Sequence, residues 1–156
     1  MVVERQGTGE CALSTMAALA GRSLAEVRAV AQQEAARCGR AFYWNRVLVR
    51  VAREVGGEHL AALLGIRAGY EATTTSAVKR LSSRIRRLPA TGRGVARFRF
   101  RGARIGHVCP WQDGLIYDPE APEAPKTLAE WRAANPGYQL DYATVEIFQL
   151  VIERAR

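Results

Sequence analysis

Residues 94–118 read GVARFRFRGARIGHVCPWQDGLIYD, a stretch that opens with apolar and charged side chains in alternation. Within Gly94–Arg101, the residues Val95, Arg97, Arg99 and Arg101 alternate with Ala96, Phe98 and Phe100. A period of two is that of a strand, here with arginine along its wet side. Arg101-Gly102-Ala103 predicts a turn, Arg104–Trp111 a second strand, and Gln112-Asp113-Gly114 a second turn. Leu115–Asp118 completes a third short strand, which Pro119 ends. An Asp-Gly pair between apolar runs is the strongest short-range hairpin signal. The reading is a three-stranded antiparallel meander.

Upstream, the period is helical. Leu13, Met16, Ala17 and Ala20 repeat at helix spacing from Cys11 to Ala20, and Gly21 ends the run. Ser23-Leu-Ala-Glu26 is a capping-box pattern that opens a second helix to about Arg37. A third runs from about Phe42 to Val55, where Gly56-Gly57 breaks it; Glu58–Leu64 fits another turn or two of helix or a strand. Thr73–Ser76 would cap a fourth helix from about Ala77 to Leu88, stopped by Pro89. Downstream, Glu120–Pro125 reads as a loop, Thr127-Leu-Ala-Glu130 as a second capping box, and Tyr138–Ile152 as one or two closing strands. Helices first and a meander after them predict an α+β fold.

A chain of 156 residues fits a single domain over 1–156. With 48% hydrophobic and 24% charged residues, it has the composition of a globular protein and not of a disordered one. No apolar run has the length of a membrane span, and Met1–Arg5 is too polar to begin a signal peptide, so a cytoplasmic protein without a membrane partner is expected. The net charge of +8 is concentrated: residues 76–111 carry ten Lys or Arg and no acid. That block is either a solvated arginine-rich surface or a patch for nucleic acid or an acidic partner, presented through Arg97, Arg99 and Arg101.

Cys11, Cys38 and Cys109 are odd in number and widely spaced, which matches neither a disulfide framework nor a CxxC zinc pattern. No metal or cofactor is expected. Cys11 instead stands at a helix start, where the positive end of the macrodipole favours a thiolate and free backbone amides can hold an oxyanion. His107 lies on the second strand. A two-residue turn at Asp113-Gly114 sets Asp118 opposite Cys109, with His107 its diagonal neighbour on the same face. A four-residue loop sets Asp118 directly opposite His107, and only a three-residue loop separates them. Two of the three turns thus let a carboxylate hold the imidazole, as a base and its orienter require. His59, in an apolar run, and Cys38, beside a helix end, read as structural. Trp44, Trp111 and Trp131 read as core anchors, with Trp111 also placed to wall a groove.

Gln6-Gly-Thr-Gly-Glu-Cys11-Ala-Leu-Ser-Thr-Met-Ala-Ala resembles the amino-terminal signature of papain-like cysteine peptidases, nearest to their bacteriocin-processing group. Gly106-His107-Val108, followed by Gly114-Leu-Ile-Tyr-Asp118-Pro119, resembles that group's later block. The resemblance covers about residues 6–21 and 94–119. It implies a papain-like fold, with Cys11 as nucleophile, His107 as base, Asp118 as orienter and Gln6 as oxyanion donor. Asp113 is the alternative orienter, and Glu10 before the cysteine departs from the usual pattern. The implied activity is hydrolysis of a peptide or isopeptide amide in a protein or peptide substrate. Deamidation or transamidation of glutamine is possible on the same machinery, and a non-catalytic binding module built on residues 76–111 is the other class.

Overall fold

The computed structural model describes residues 1–42, 44–65, 78–103 and 106–147. Three helices come first. Helix α1 spans Cys11–Ala20 and ends at Gly21, whose φ of 66° lets its N–H turn back to the Ala17 carbonyl. Helix α2, Leu24–Cys38, starts at Ser23 through reciprocal bonds: Glu26 N–H donates to Ser23 Oγ, and Ser23 N–H donates to the Glu26 carboxylate. Helix α3, Asn45–Leu64, is kinked at Gly56 and Gly57, which leave helical geometry, and then resumes. The expected break is therefore a bend, and the run after it is helix. The apolar side chains Leu60, Leu63 and Leu64 keep it there, buried in the same core as Val47, Val51 and Val55.

The rest is a six-stranded sheet in the order β1-β6-β2-β3-β4-β5, every pair antiparallel. Its strands are β1 Val78–Leu81, β2 Arg93–Phe100, β3 Gly106–Gln112, β4 Leu115–Ile116, β5 Lys126–Thr127 and β6 Tyr138–Glu146. Helix α4, Leu128–Ala134, follows β5 from a capping box of Thr127 and Glu130. The fold is α+β, as the change of period predicts. Among the described residues no helix is long and apolar enough to cross a membrane.

Residues 77–88 are a correction. Val78–Leu81 is an edge strand and not the start of a helix, and the chain to Leu88 is turns and bends; Thr73–Ala77 lie outside the described residues. A helix here would stack Arg80 on Arg84, a like-charge i, i+4 pair. Pairing Val78–Leu81 with Ala143–Glu146 instead lets the Arg80 guanidinium lie over the Tyr142 ring, 4.5 Å from its centroid. The Ser82 hydroxyl and carbonyl then take the N–H groups of Arg84 and Ile85 and turn the chain.

Strand parity distributes two cores. Val95 and Val108 pack with α1, α2 and α3. Ala96, Phe98, Cys109 and Trp111 pack on the other face with Leu128 and Trp131 of α4. Trp111 is fully buried, its indole N–H donating to the Thr144 carbonyl at 2.9 Å, so it anchors the core and walls no groove. Trp44 is the opposite case. It is half exposed under the Arg40 guanidinium and is no core anchor.

Candidate active site

The β3–β4 hairpin closes through Asp113 (φ 50°) and Gly114 (φ 83°), the two positive-φ residues of a tight turn, and pairs Trp111 with Ile116 and Gln112 with Leu115. This is the two-residue register. Tyr117 N–H extends it by donating to the Pro110 carbonyl at 3.0 Å. His107 and Asp118 then lie diagonally on one face, and His107 Nε2 meets Asp118 Oδ1 at 2.8 Å, both side chains buried. Asp113 is elsewhere: its carboxylate accepts from Gly92 N–H at 2.9 Å and from the Gln112 amide.

Because β4 ends at Ile116, the chain around Asp118 and Pro119 is free to meet the amino-terminal segment. Gln6 N–H donates to the Pro119 carbonyl at 3.0 Å. Helix α1 is tied at two buried hydroxyls, Ser14 to the Glu4 carbonyl and Thr15 to the Val108 carbonyl of β3. These bonds explain polar residues inside an otherwise apolar helix. They bring Cys11, half-buried at the first turn, near the His107 ring, where with Asp118 and Cys109 it favours the protonated imidazole.

The electrostatics follow from burial and partners. Burial disfavours a charged imidazole, but the bonds to Asp118, Cys109 and Cys11 outweigh it and hold His107 well above its ordinary value of 6.5. Burial also opposes ionised Asp118, yet His107, the Glu120 N–H and the Trp131 indole N–H together hold its carboxyl below its ordinary 3.8. Cys109 is fully buried, which pushes its thiol up to about 12. The pair is imidazolium and carboxylate, with a neutral thiol at Cys109.

Two further side chains shape the site. Glu10, directly before Cys11, makes no cap bond to α1. Arg28 holds its carboxylate in a fork at 2.7 and 2.8 Å, with the Gly7 N–H as a third donor. A negative charge next to the cysteine is thus neutralised, and the first amides of α1 are left without a side-chain cap. Gln6 donates its amide to Glu120 Oε1 at 3.2 Å, while its own Oε1 is buried without a partner.

No protein-family model, curated protein or solved structure matches this chain. The site therefore stands on its geometry. Of the four residues the sequence singles out, Cys11, His107 and Asp118 come together, and Gln6 lies beside Asp118's neighbours Pro119 and Glu120.

Sequence reasoning read Trp131 only as a core anchor, yet its indole N–H also reaches Asp118 Oδ2 at 2.7 Å, and it passed over Arg28, which takes the charge of Glu10. A tryptophan one turn into a capped helix has no sequence mark of a carboxylate partner. Arg28 had a signal, an unpaired Glu beside the cysteine. Within the basic block, Arg97 and Arg99 reach Asp141 at 3.9 and 3.1 Å, and Arg93 pairs with Glu146. Asp141 is the extra residue at a register shift between β2 and β6, which brings one carboxylate to both arginines.

Proposed function

We propose that this chain is a thiol-dependent amide hydrolase of papain-like arrangement, with helix α1 presenting Cys11 against the antiparallel sheet. The observation that carries the reading is the His107 ring held by the buried Asp118 carboxylate at 2.8 Å, with Cys11 at the start of α1 near enough to that ring to raise its proton affinity. The proton of Cys11 is the one that makes His107 an imidazolium, and the sulfur so freed attacks the substrate carbonyl. The uncapped first amides of α1 hold the oxyanion as it develops. The amine leaves with the proton from His107, an acyl-thioester remains on Cys11, and water hydrolyses it.

Asp118 keeps the imidazole in one tautomer and orientation. Gln6 serves as a second oxyanion donor once its carboxamide makes a half-turn, which gives up the Glu120 contact and brings N–H to the buried place Oε1 now holds. The substrate is a protein or peptide amide, and a glutamine side chain would enter by the same chemistry.

The test is labelling by a peptide bearing a thiol-reactive group in place of its scissile amide. The parent protein, Cys38→Ala included, is expected to be labelled, and Cys11→Ala is expected to lose labelling altogether. Equal labelling of the parent and Cys11→Ala removes Cys11 from the chemistry. Ammonia released from a glutamine peptide would mark deamidation, and uptake of a primary amine would mark transfer.

A further inference from the structure

Arg5, Arg28, Arg37, Arg53, Arg93 and Arg99 each pair with a carboxylate. The loop between β1 and β2 is different. It carries Arg84, Arg86 and Arg87, all three exposed and none in an ion pair among the described residues. Its own stretch of chain cannot neutralise them, since residues 76–111 contain no acid. Yet the loop has a fixed seat. Ile85 and Leu88 turn inward and pack on the core that holds Trp111 and Trp131. Arg84 N–H donates to Ser82 Oγ and Ile85 N–H to the Ser82 carbonyl, each at 3.2 Å. Two further cations adjoin. Arg132 of α4 reaches the Ile85 carbonyl at 3.5 Å. Lys79 of β1 is exposed and shares a strand face with Leu81, which packs on the same core. Neither has an acidic partner among the described residues.

We infer that Lys79, Arg84, Arg86, Arg87 and Arg132 form a phosphate-binding face for duplex nucleic acid. Charge density decides the partner. The Cα atoms of Arg84 and Arg87 are at most about 11 Å apart. Over that length a duplex offers roughly six phosphate charges, whereas an extended acidic peptide offers roughly three carboxylates. Guanidinium groups also match phosphate oxygens two at a time. From Lys79 to Gly92 there is no aromatic ring to stack on an unpaired base and no Asn or Gln to read a base edge. Contact is therefore with the backbone and takes little account of sequence. Arg97 and Arg99, to which the strand pattern points, share Asp141 and lie outside this face. The surface uses no residue of the Cys11 site, so the two readings stand or fall separately.

Fluorescence anisotropy with a short labelled DNA duplex, repeated at several salt concentrations, tests the surface. With up to five phosphates neutralised, the logarithm of the binding constant should fall against that of salt with a slope of about −4 to −5, which costs on the order of 10²–10³-fold in affinity between about 50 and 200 mM. Arg84→Gln/Arg87→Gln should make that slope shallower by about 2 and weaken binding on the order of 10–100-fold near 100 mM salt. Arg97→Gln/Arg99→Gln removes the same formal charge and should change the slope by less than about 1. A duplex of unrelated sequence should bind as the first does, and a single strand more weakly. An RNA duplex run beside the DNA shows which of the two backbones the surface prefers. No binding of either duplex at low salt, or equal losses in the two double variants, overturns the surface. Poly-glutamate of equal charge that competes as well as the duplex overturns the choice of nucleic acid and makes the partner an acidic protein.

Discussion

Asp118 accepts from three donors, and each bond makes its ionised form cheaper in a place where burial makes it dear. The two partners act in opposite pH ranges. The lowered carboxyl of Asp118 contributes stability that is complete above its ordinary 3.8 and is lost as pH falls through its folded value. The raised imidazole contributes stability that is complete below its ordinary 6.5 and is lost as pH rises toward its folded value. Asp118→Asn removes both contributions. The stability difference between parent and variant should therefore be widest between about pH 4 and 6.5 and narrow on either side. Urea unfolding at a series of pH values measures it, and a difference that does not change with pH would show that the pair is not ionised. In the same variant, probe labelling of Cys11 should slow on the order of 100-fold or more, as for other disabled general bases.

Among the elements, α4 is seven residues long and owes its start to Thr127 and Glu130, whose side chains cap it reciprocally. Thr127→Ala should cost about 1 kcal/mol, seen as a melting temperature lower by about 2–4 °C. A helix this short also carries Trp131, whose ring stacks on Phe98 at 3.7 Å between centroids and whose N–H reaches Asp118. Trp131→Phe keeps the stack and deletes the donor. It should cost about 1–3 kcal/mol for the buried carboxylate oxygen left short of a partner and slow labelling, while a fall in stability with labelling intact would make Trp131 a packing residue only. The edge strand β1 teaches a different lesson about elements. Helix caps and turns were legible because each rests on residues within about four positions of one another. Val78–Leu81 was not, because four residues take whatever structure the neighbouring strand offers, and its neighbour, β6, lies more than sixty residues away along the chain.

At the scale of the whole molecule, Glu146 links the helical half to the sheet. It is buried and binds His59 of α3 and Arg93 of β2, and Arg93 also donates to the Leu19 carbonyl of α1 at 3.3 Å. His59 is thus structural, as its apolar surroundings suggest. Burial pushes Glu146 up, and the bonds from Arg93 and His59 bring it below the ordinary carboxylate value. Glu146→Gln leaves Arg93 and His59 facing a neutral group. Both partners are about one-third exposed, so water replaces part of the loss, and the cost should be on the order of 1–3 kcal/mol. Thermal unfolding checks this, and an unchanged melting temperature would mean that the two halves are joined by apolar packing alone.

Local chemistry was enough to place the helix starts at Cys11, Ser23 and Thr127 and the hairpin at Asp113-Gly114. It left three turn lengths open there, two of which put His107 and Asp118 on one face, and the pairing of Trp111 with Ile116 selects the two-residue turn. The partners of that pair were settled by residues distant in the chain. Trp131 reaches Asp118 because the α4 core folds onto the face that holds Phe98, and Cys11 reaches His107 because Ser14 and Thr15 fasten α1 to the amino-terminal segment and to β3. The direction of the Gln6 amide, toward Glu120, follows from Gln6 N–H binding Pro119. Short-range signals are read from residues that must be neighbours in any fold; burial and charge pairing choose among partners that become neighbours only when the chain has closed on itself.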